Sequence, residues 1–339
     1  MMGTGVSASV LGCAGPSLSP DEAAFFHDAR PWGFILFARN VETPDQLRRL
    51  TDDLRASVGR DAPVLVDQEG GRVQRLRAPH WREWAPPLDE GQGLAPSDRA
   101  RAIWLRYRLI AEELRAVGID ANCAPTLDLA WPSTHPFLQN RCFGGDPAAV
   151  AEAGRAAAEG LLAGGVLPVM KHLPGHGRAA VDSHHDLPRL AAPLDELDGT
   201  DFAPFRALAD LPMAMTAHIV VEAVDAGRPA TQSPAAVALI RDRIGFSGLL
   251  LSDDLSMQAL AGTLGERAGA AIAAGCDIAL HCNGKRPEME AVVAAAGTLG
   301  TAAARRAEAA LARRIRPDAI DTAALDAEFG ALLRGPARV

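Results

Sequence analysis

Short, almost wholly apolar runs alternate with stretches of helical spacing along most of the chain. The runs stand at Ser7–Leu11, Gly33–Phe37, Val64–Val66, Ile119–Cys123, Leu167–Met170, Ala214–Ala217, Leu249–Leu251 and Ile278–Leu280. Strands apolar on both sides indicate a parallel sheet covered on both faces. Between them, helical periodicity predicts helices over Pro20–Ala29, Pro44–Val58, Ser97–Val117, Pro147–Ala163, Phe202–Leu208, Pro234–Arg243, Leu264–Ala274 and Pro287–Ala296. Several open on a capping residue followed by proline, as at Thr43-Pro44, Asp146-Pro147 and Ser233-Pro234. Eight strand–helix units in 339 residues predict an α/β fold, a (β/α)8 TIM barrel rather than an open doubly wound sheet. No Gly/Ser linker divides the chain, so one domain is expected, with the barrel over about residues 5–298. Extra C-terminal helices, packed outside the barrel, are expected over about 299–339.

Composition narrows the partners. The net charge of −8 and the absence of a basic run argue against a nucleic-acid surface. The basic stretch from Ala304 to Arg316 alternates with Ala and Glu and reads as a solvated helix face. Cys13, Cys123, Cys142, Cys276 and Cys282 form no CxxC pair and are odd in number, as expected of reduced, mostly buried thiols in a cytoplasmic protein. Val10-Leu11-Gly12-Cys13 imitates a lipoprotein cleavage site, but no Lys or Arg precedes it, and it is read as the first strand. No apolar run is long enough to span a membrane, so no membrane association is expected.

Barrel enzymes keep their chemistry at the C-terminal ends of the strands, and polar groups gather there in this chain. Asp67 to Arg75 follow the third run, and an insertion with Asp128, Asn140 and Arg141 follows the fourth. His218 follows the sixth run, Ser252-Asp253-Asp254 the seventh and His281-Cys282-Asn283 the eighth. The densest stretch is Lys171 to Leu190 after the fifth run, with His172, His176, His184, His185, Asp182 and Asp186. Its glycines and prolines predict a loop. In an extended segment residues two apart share a side, so Asp182 is placed to orient His184 and support its imidazolium; the plain alternative is a solvated loop histidine.

Asp253 or Asp254, at the tip of a buried strand, is a candidate nucleophile, the other an N-cap for Leu255-Ser256-Met257, a role better suited to Asp254. Alternation alone leaves that choice open. A carboxylate nucleophile with a separate proton donor is the layout of a retaining glycosidase. Glu69 and His184 are the candidate donors. Asp67, Arg75, Arg141, Lys171 and His172 would hold sugar hydroxyls, although each also reads as an ordinary surface or ion-pair residue. Three rivals are weighed against this. The histidines suggest a metal site but lack HxxxH, HxH or HExxH spacing. Lys171 suggests a Schiff-base lyase, without a phosphate-binding glycine loop near strands seven and eight. The third is a non-catalytic carbohydrate-binding barrel. Gly175-His176-Gly177-Arg178-Ala179-Ala180 imitates a dinucleotide fingerprint only weakly, because no helical run follows it.

KHLPGHG followed by DSHHDLP, with DQEGGRVQR and NRCFGGDP before them and LLLSDDLSM after, resembles the bacterial β-N-acetylglucosaminidases of glycoside hydrolase family 3. The chain is most similar to the single-domain cytoplasmic enzymes of peptidoglycan recycling, and the likeness runs from about Gly33 to Leu280. The resemblance implies removal of terminal N-acetylglucosamine from muropeptides ending in 1,6-anhydro-N-acetylmuramic acid, by double displacement and without metal or cofactor. It implies Asp253 as nucleophile, His184 as acid/base and Asp182 as its partner. Asp67, Arg75, Arg141, Lys171 and His172 fall on sugar-contacting positions, and Glu69 passes from candidate donor to a structural role in its turn. Leu173 stands where the family usually has Phe. The second domain of larger members is expected to be absent, and the chain is expected to act as a monomer on a small carbohydrate substrate. The alternatives left open are a β-glucosidase or a glycoside phosphorylase of the same family.

Overall fold

The apolar runs pair side by side in chain order. The computed structural model describes residues 5–179 and 187–334. Its barrel strands are β1 (Ser7–Gly12), β2 (Pro31–Leu36), β3 (Val64–Val66), β4 (Ala121–Asn122), β5 (Leu167–Leu173), β6 (Met213–Thr216), β7 (Leu249–Leu251) and β8 (Ala279–His281). Their hydrogen-bonded order is β7-β6-β5-β4-β3-β2-β1-β8, all parallel. A parallel bridge from Leu251 to Ile278, with Ser252 N donating to Ile278 O at 2.9 Å, joins β7 to β8 and closes the ring. The chain is therefore the expected (β/α)8 barrel.

Side-chain alternation divides the apolar residues into two cores. Leu65, Val169, Met215, Leu249, Leu251 and Leu280 belong to the cluster inside the barrel. Val64, Val66, Met170, Ala214 and Leu250 belong to the layer between barrel and helices. Such double burial is why these strands read as unbroken apolar runs.

Helices Pro20–Ala29, Pro44–Val58, Pro147–Ala163 and Leu264–Ala274 keep the expected limits, because Ser19, Thr43, Asp146 and Thr263 each accept a hydrogen bond from the first turn. Other expectations change. β5 runs on to Leu173, so Lys171 and His172 belong to a strand and not to the loop. The loop's far end forms a two-residue strand, Arg189–Leu190, paired with Val220–Val221. The helix expected over 202–208 is present as Ala203–Ala207 and is preceded by a short helix that was not expected, Leu194–Gly199, while the one expected over Pro234–Arg243 is α-helical only to Ala238 and continues as a π turn over Leu239–Arg243.

Of the C-terminal helices, Thr301–Leu311 lies beneath the barrel, where Ala307 and Ala310 join the interior cluster. Thr322–Arg334 packs on Pro96–Arg115 and seats Phe329 against Trp84, ring centroids 5.8 Å apart. Two buried aspartates fasten the bottom. Asp120 accepts from Val64 N at 2.8 Å and pairs with Arg55 and Arg314. Asp277 accepts from Leu250 N at 3.0 Å and pairs with Arg241 and Arg306. Among the described residues no helix is long and apolar enough to cross a membrane.

Candidate active site

The pocket at the C-terminal mouth of the barrel is built first on a turn. Beyond β3, Gln68–Gly70 folds back antiparallel on Val73–Gln74. The turn requires glycine at position 70: φ is +107° there, and a Cβ would lie 2.5 Å from Ala85 O. Asn122, at the tip of β4, grips Gln68 through both its side-chain oxygen and its amide, each at 3.0 Å. The Gln68 side-chain oxygen then accepts from the backbone of Arg75 at 2.9 Å. Arg75 and Asp67 are thereby set on one wall, 2.8 Å apart.

That wall is a chain of paired charges. Asp67 accepts from Arg75 through Oδ2 and from Lys171 Nζ through Oδ1, both at 2.8 Å. Lys171 Nζ also lies 2.6 Å from Glu69 Oε1. Glu69 in turn receives a two-pronged pair from Arg141, at 2.8 and 2.9 Å. Burial alone would raise the Asp67 and Glu69 carboxyls, but the neighbouring cations outweigh it. Asp67 is held well below the usual carboxylate range and Glu69 at about 2. Burial opposes charge on Lys171 and Arg141 as well, and the same carboxylates raise both above their ordinary values. The wall is therefore fully ionised, which a buried pair tolerates only because each charge has a partner.

Opposite it stands Asp253, beyond the end of β7. Its Oδ1 accepts from the Asp254 backbone at 2.8 Å, and its Oδ2 receives no hydrogen bond from a described residue. Burial would raise this carboxyl. His218, His172, the Asp254 amide and Lys171 together bring it below its ordinary value, so it is ionised at neutral pH. Asp254 takes the capping role: its oxygens accept from Ser256 N at 3.0 Å, Ser256 Oγ at 2.6 Å and Cys282 N at 3.2 Å. His218 braces the same turn by donating from Nε2 to Asp254 O at 3.0 Å, with Thr231 2.8 Å from Nδ1. Burial lowers its pKa against the pull of Asp253 and Asp254.

The structure thus brings together Asp67, Arg75, Arg141, Lys171, His172 and Asp253 around one pocket. Asp182 and His184 lie outside the described residues. Phe37, Phe137, Met215 and Met257 supply its apolar surface. Glu69 has a wider role than expected, since it anchors Arg141 and Lys171 and not merely its own turn. Asp128 and His218, which the sequence marks only as polar groups near strand ends, hold the site's histidine and, through the Asp254 carbonyl, the turn that carries Asp253. Their chain positions gave no sign of it, because their partners are 44 and 36 residues away. His176 also lines the pocket, with both ring nitrogens unpartnered among the described residues and its pKa pushed down to about 4 by burial. Among the described residues no group of His, Cys, Asp and Glu is arranged to hold a metal ion.

A parallel barrel whose mouth sets an open carboxylate against an ionised, donor-rich wall is built for chemistry on a polar, hydroxylated substrate. Residues 18–316 match the glycosyl hydrolase family 3 N terminal domain, and the chain belongs to that family. The β-hexosaminidase of Alkalilimnicola ehrlichii is 40% identical over 284 residues, covering 81% of this chain and 80% of that protein. The crystal structure of native NagZ from Neisseria gonorrhoeae is 33% identical with a TM-score of 0.83, covering 98% of this chain and 97% of that one. The same Neisseria gonorrhoeae protein in complex with N-trifluoroacetyl-D-glucosamine gives 0.82 at the same identity and coverage.

Proposed function

We propose that the chain is a retaining β-N-acetylhexosaminidase that removes a terminal, non-reducing N-acetylglucosamine through a glycosyl-aspartate intermediate. The observation that carries this reading is the Asp253 carboxylate, ionised, lining the pocket and with one oxygen unclaimed by any described residue. In the first step Asp253 Oδ2 attacks the anomeric carbon while the glycosidic bond breaks and the leaving oxygen takes a proton. In the second, water gives up a proton and displaces the aspartate, so two inversions leave the anomeric configuration unchanged. His184 is assigned the proton transfers and Asp182 the orientation of its ring, on the strength of the DSH motif. Asp67, Arg75, Arg141, Lys171 and His172 are assigned to the sugar's hydroxyls, an assignment supported by their shared pocket and by the donors and acceptors they present.

The 2-acetamido preference is supported by relatives named β-hexosaminidase and by the N-trifluoroacetyl-D-glucosamine complex of a similar structure. Muropeptides with a 1,6-anhydro-N-acetylmuramic acid end are the proposed substrates, by family likeness. Five unpaired, buried thiols fit a reducing compartment, and a cytoplasmic monomer is proposed. The test is hydrolysis of p-nitrophenyl N-acetyl-β-D-glucosaminide against the matching β-glucoside, with the first-formed sugar observed by proton NMR. Preference for the glucosaminide and initial release of the β-anomer are expected. Initial α-anomer, or preference for the glucoside, would overturn the reading.

A further inference from the structure

A carboxylate–imidazole couple that no motif announced lies at the pocket. Asp128, in the loop after β4, places Oδ2 2.7 Å from His172 Nδ1. Its Oδ1 is engaged by two backbone amides, His176 N at 2.7 Å and His172 N at 3.4 Å. Asp128 is buried, and although burial opposes its charge, His172 and these donors keep its pKa below the ordinary value. A carboxylate can only accept, so Nδ1 carries a proton. In the neutral ring that leaves the lone pair on Nε2, which no described residue engages.

We propose that Asp128 is a positioning residue: it locks His172 so that Nε2 offers the bound sugar a hydrogen-bond acceptor. The rest of the wall explains why an acceptor is needed. Lys171, Arg75 and Arg141 only donate, and Asp67, with one lone pair on each oxygen already taken by a cation, is the wall's one pocket-facing acceptor. Asp253 is committed to the anomeric carbon. A hydroxyl that accepts from one of the cations still has its own proton to place, and the ring that Asp128 fixes, His172, takes it at Nε2; His176, which also lines the pocket, has neither ring nitrogen held by a described residue. This rests on the hexosaminidase reading above.

Asp128→Asn tests it with little change of shape. Two amides donate to the Oδ1 position, so the asparagine oxygen stays there and its NH2 turns towards Nδ1. The ring must then accept at Nδ1 and carry its proton on Nε2, where it becomes a donor. Nitrogen-15 NMR of the imidazoles is expected to show Nδ1–H in the native protein and Nε2–H in the variant. The KM for p-nitrophenyl N-acetyl-β-D-glucosaminide and the Kd for N-acetylglucosamine are expected to rise about tenfold to a hundredfold, while kcat changes far less. An Nε2–H native tautomer, or a ring protonated on both nitrogens, overturns the proposal, whether or not the variant folds. So does a switched tautomer with KM and Kd unaltered. If the native protein shows Nδ1–H but neither binds N-acetylglucosamine nor cleaves the glucosaminide, the hexosaminidase reading fails and the orientation of His172 stands.

Discussion

Strands β3 and β7 are built alike below and put to different uses above. At the bottom, Asp120 and Asp277 each hold the backbone of the preceding strand and an arginine from the helix before it, Arg55 or Arg241. Arg306 and Arg314, from the C-terminal segment, complete the two clamps. The spacing agrees as well: Asp67 follows Arg55 by 12 residues and Asp253 follows Arg241 by 12. At the top the two aspartates part company. Asp67 is neutralised on both oxygens by Arg75 and Lys171, whereas Asp253 has a backbone amide on one oxygen and an open pocket before the other. The same residue at the same place on the scaffold is held between two cations, as a proposed sugar-binding group, in one half and is the proposed nucleophile in the other. Neighbours decide, not strand position.

Replacing each aspartate separates the two roles. Asp253→Asn is expected to lower kcat by about 10⁴-fold or more and to leave the melting temperature close to native. If turnover survives, the assignment of roles is wrong. Asp67→Asn is expected to be the less stable protein. It leaves Arg75 without its carboxylate and Lys171 with Glu69 alone, costing about 2–3 kcal/mol in urea unfolding. A loss confined to Asp253→Asn would reverse the comparison.

Acid sharpens it. The folded carboxyls of Asp67 and Glu69 lie below their unfolded values, so in the window between the two the unfolded chain binds the extra protons and stability rises with pH. Their contribution is complete above the unfolded values, about pH 4, and is lost as pH falls through the folded ones, which for Glu69 is about 2. Unfolding measured between about pH 5 and pH 3 is expected to show a positive slope that flattens in Asp67→Asn. An equal slope in both proteins would show that the wall is not ionised as described. The smallest effects belong to the bottom clamps. Arg306→Gln and Arg314→Gln are each expected to cost about 1 kcal/mol, because Asp277 and Asp120 retain Arg241 and Arg55. A markedly larger loss from one of them would show that the two clamps are not equivalent.

Much of the scaffold was legible because local chemistry sets it. Helix limits came out where a side-chain cap closes the first turn, as at Thr43 and Asp146. The apolar pattern ends β5 early, at Met170, because Lys171 and His172 are polar. They are strand residues by virtue of their partners, with Leu173 paired to Thr216, and no local pattern records that. The site was legible as a set of residues at strand ends, but not as a network. Glu69 looked like a turn residue, yet its role comes from Arg141 and Lys171, distant in sequence and brought close by barrel closure. Asp128 was equally silent, since what matters is which atoms of its carboxylate the backbone has already taken.

The open carboxylate beyond β7, and no other acid of the mouth, is the proposed point of attachment to the sugar. A 5-fluoro-N-acetylglucosaminyl fluoride slows release of the covalent intermediate and allows the modified peptide to be mapped by mass spectrometry. The label is expected on Asp253, in the peptide that carries Leu249 to Met257. A label on Asp254, Asp67 or Glu69, or turnover with no covalent adduct, would contradict the account.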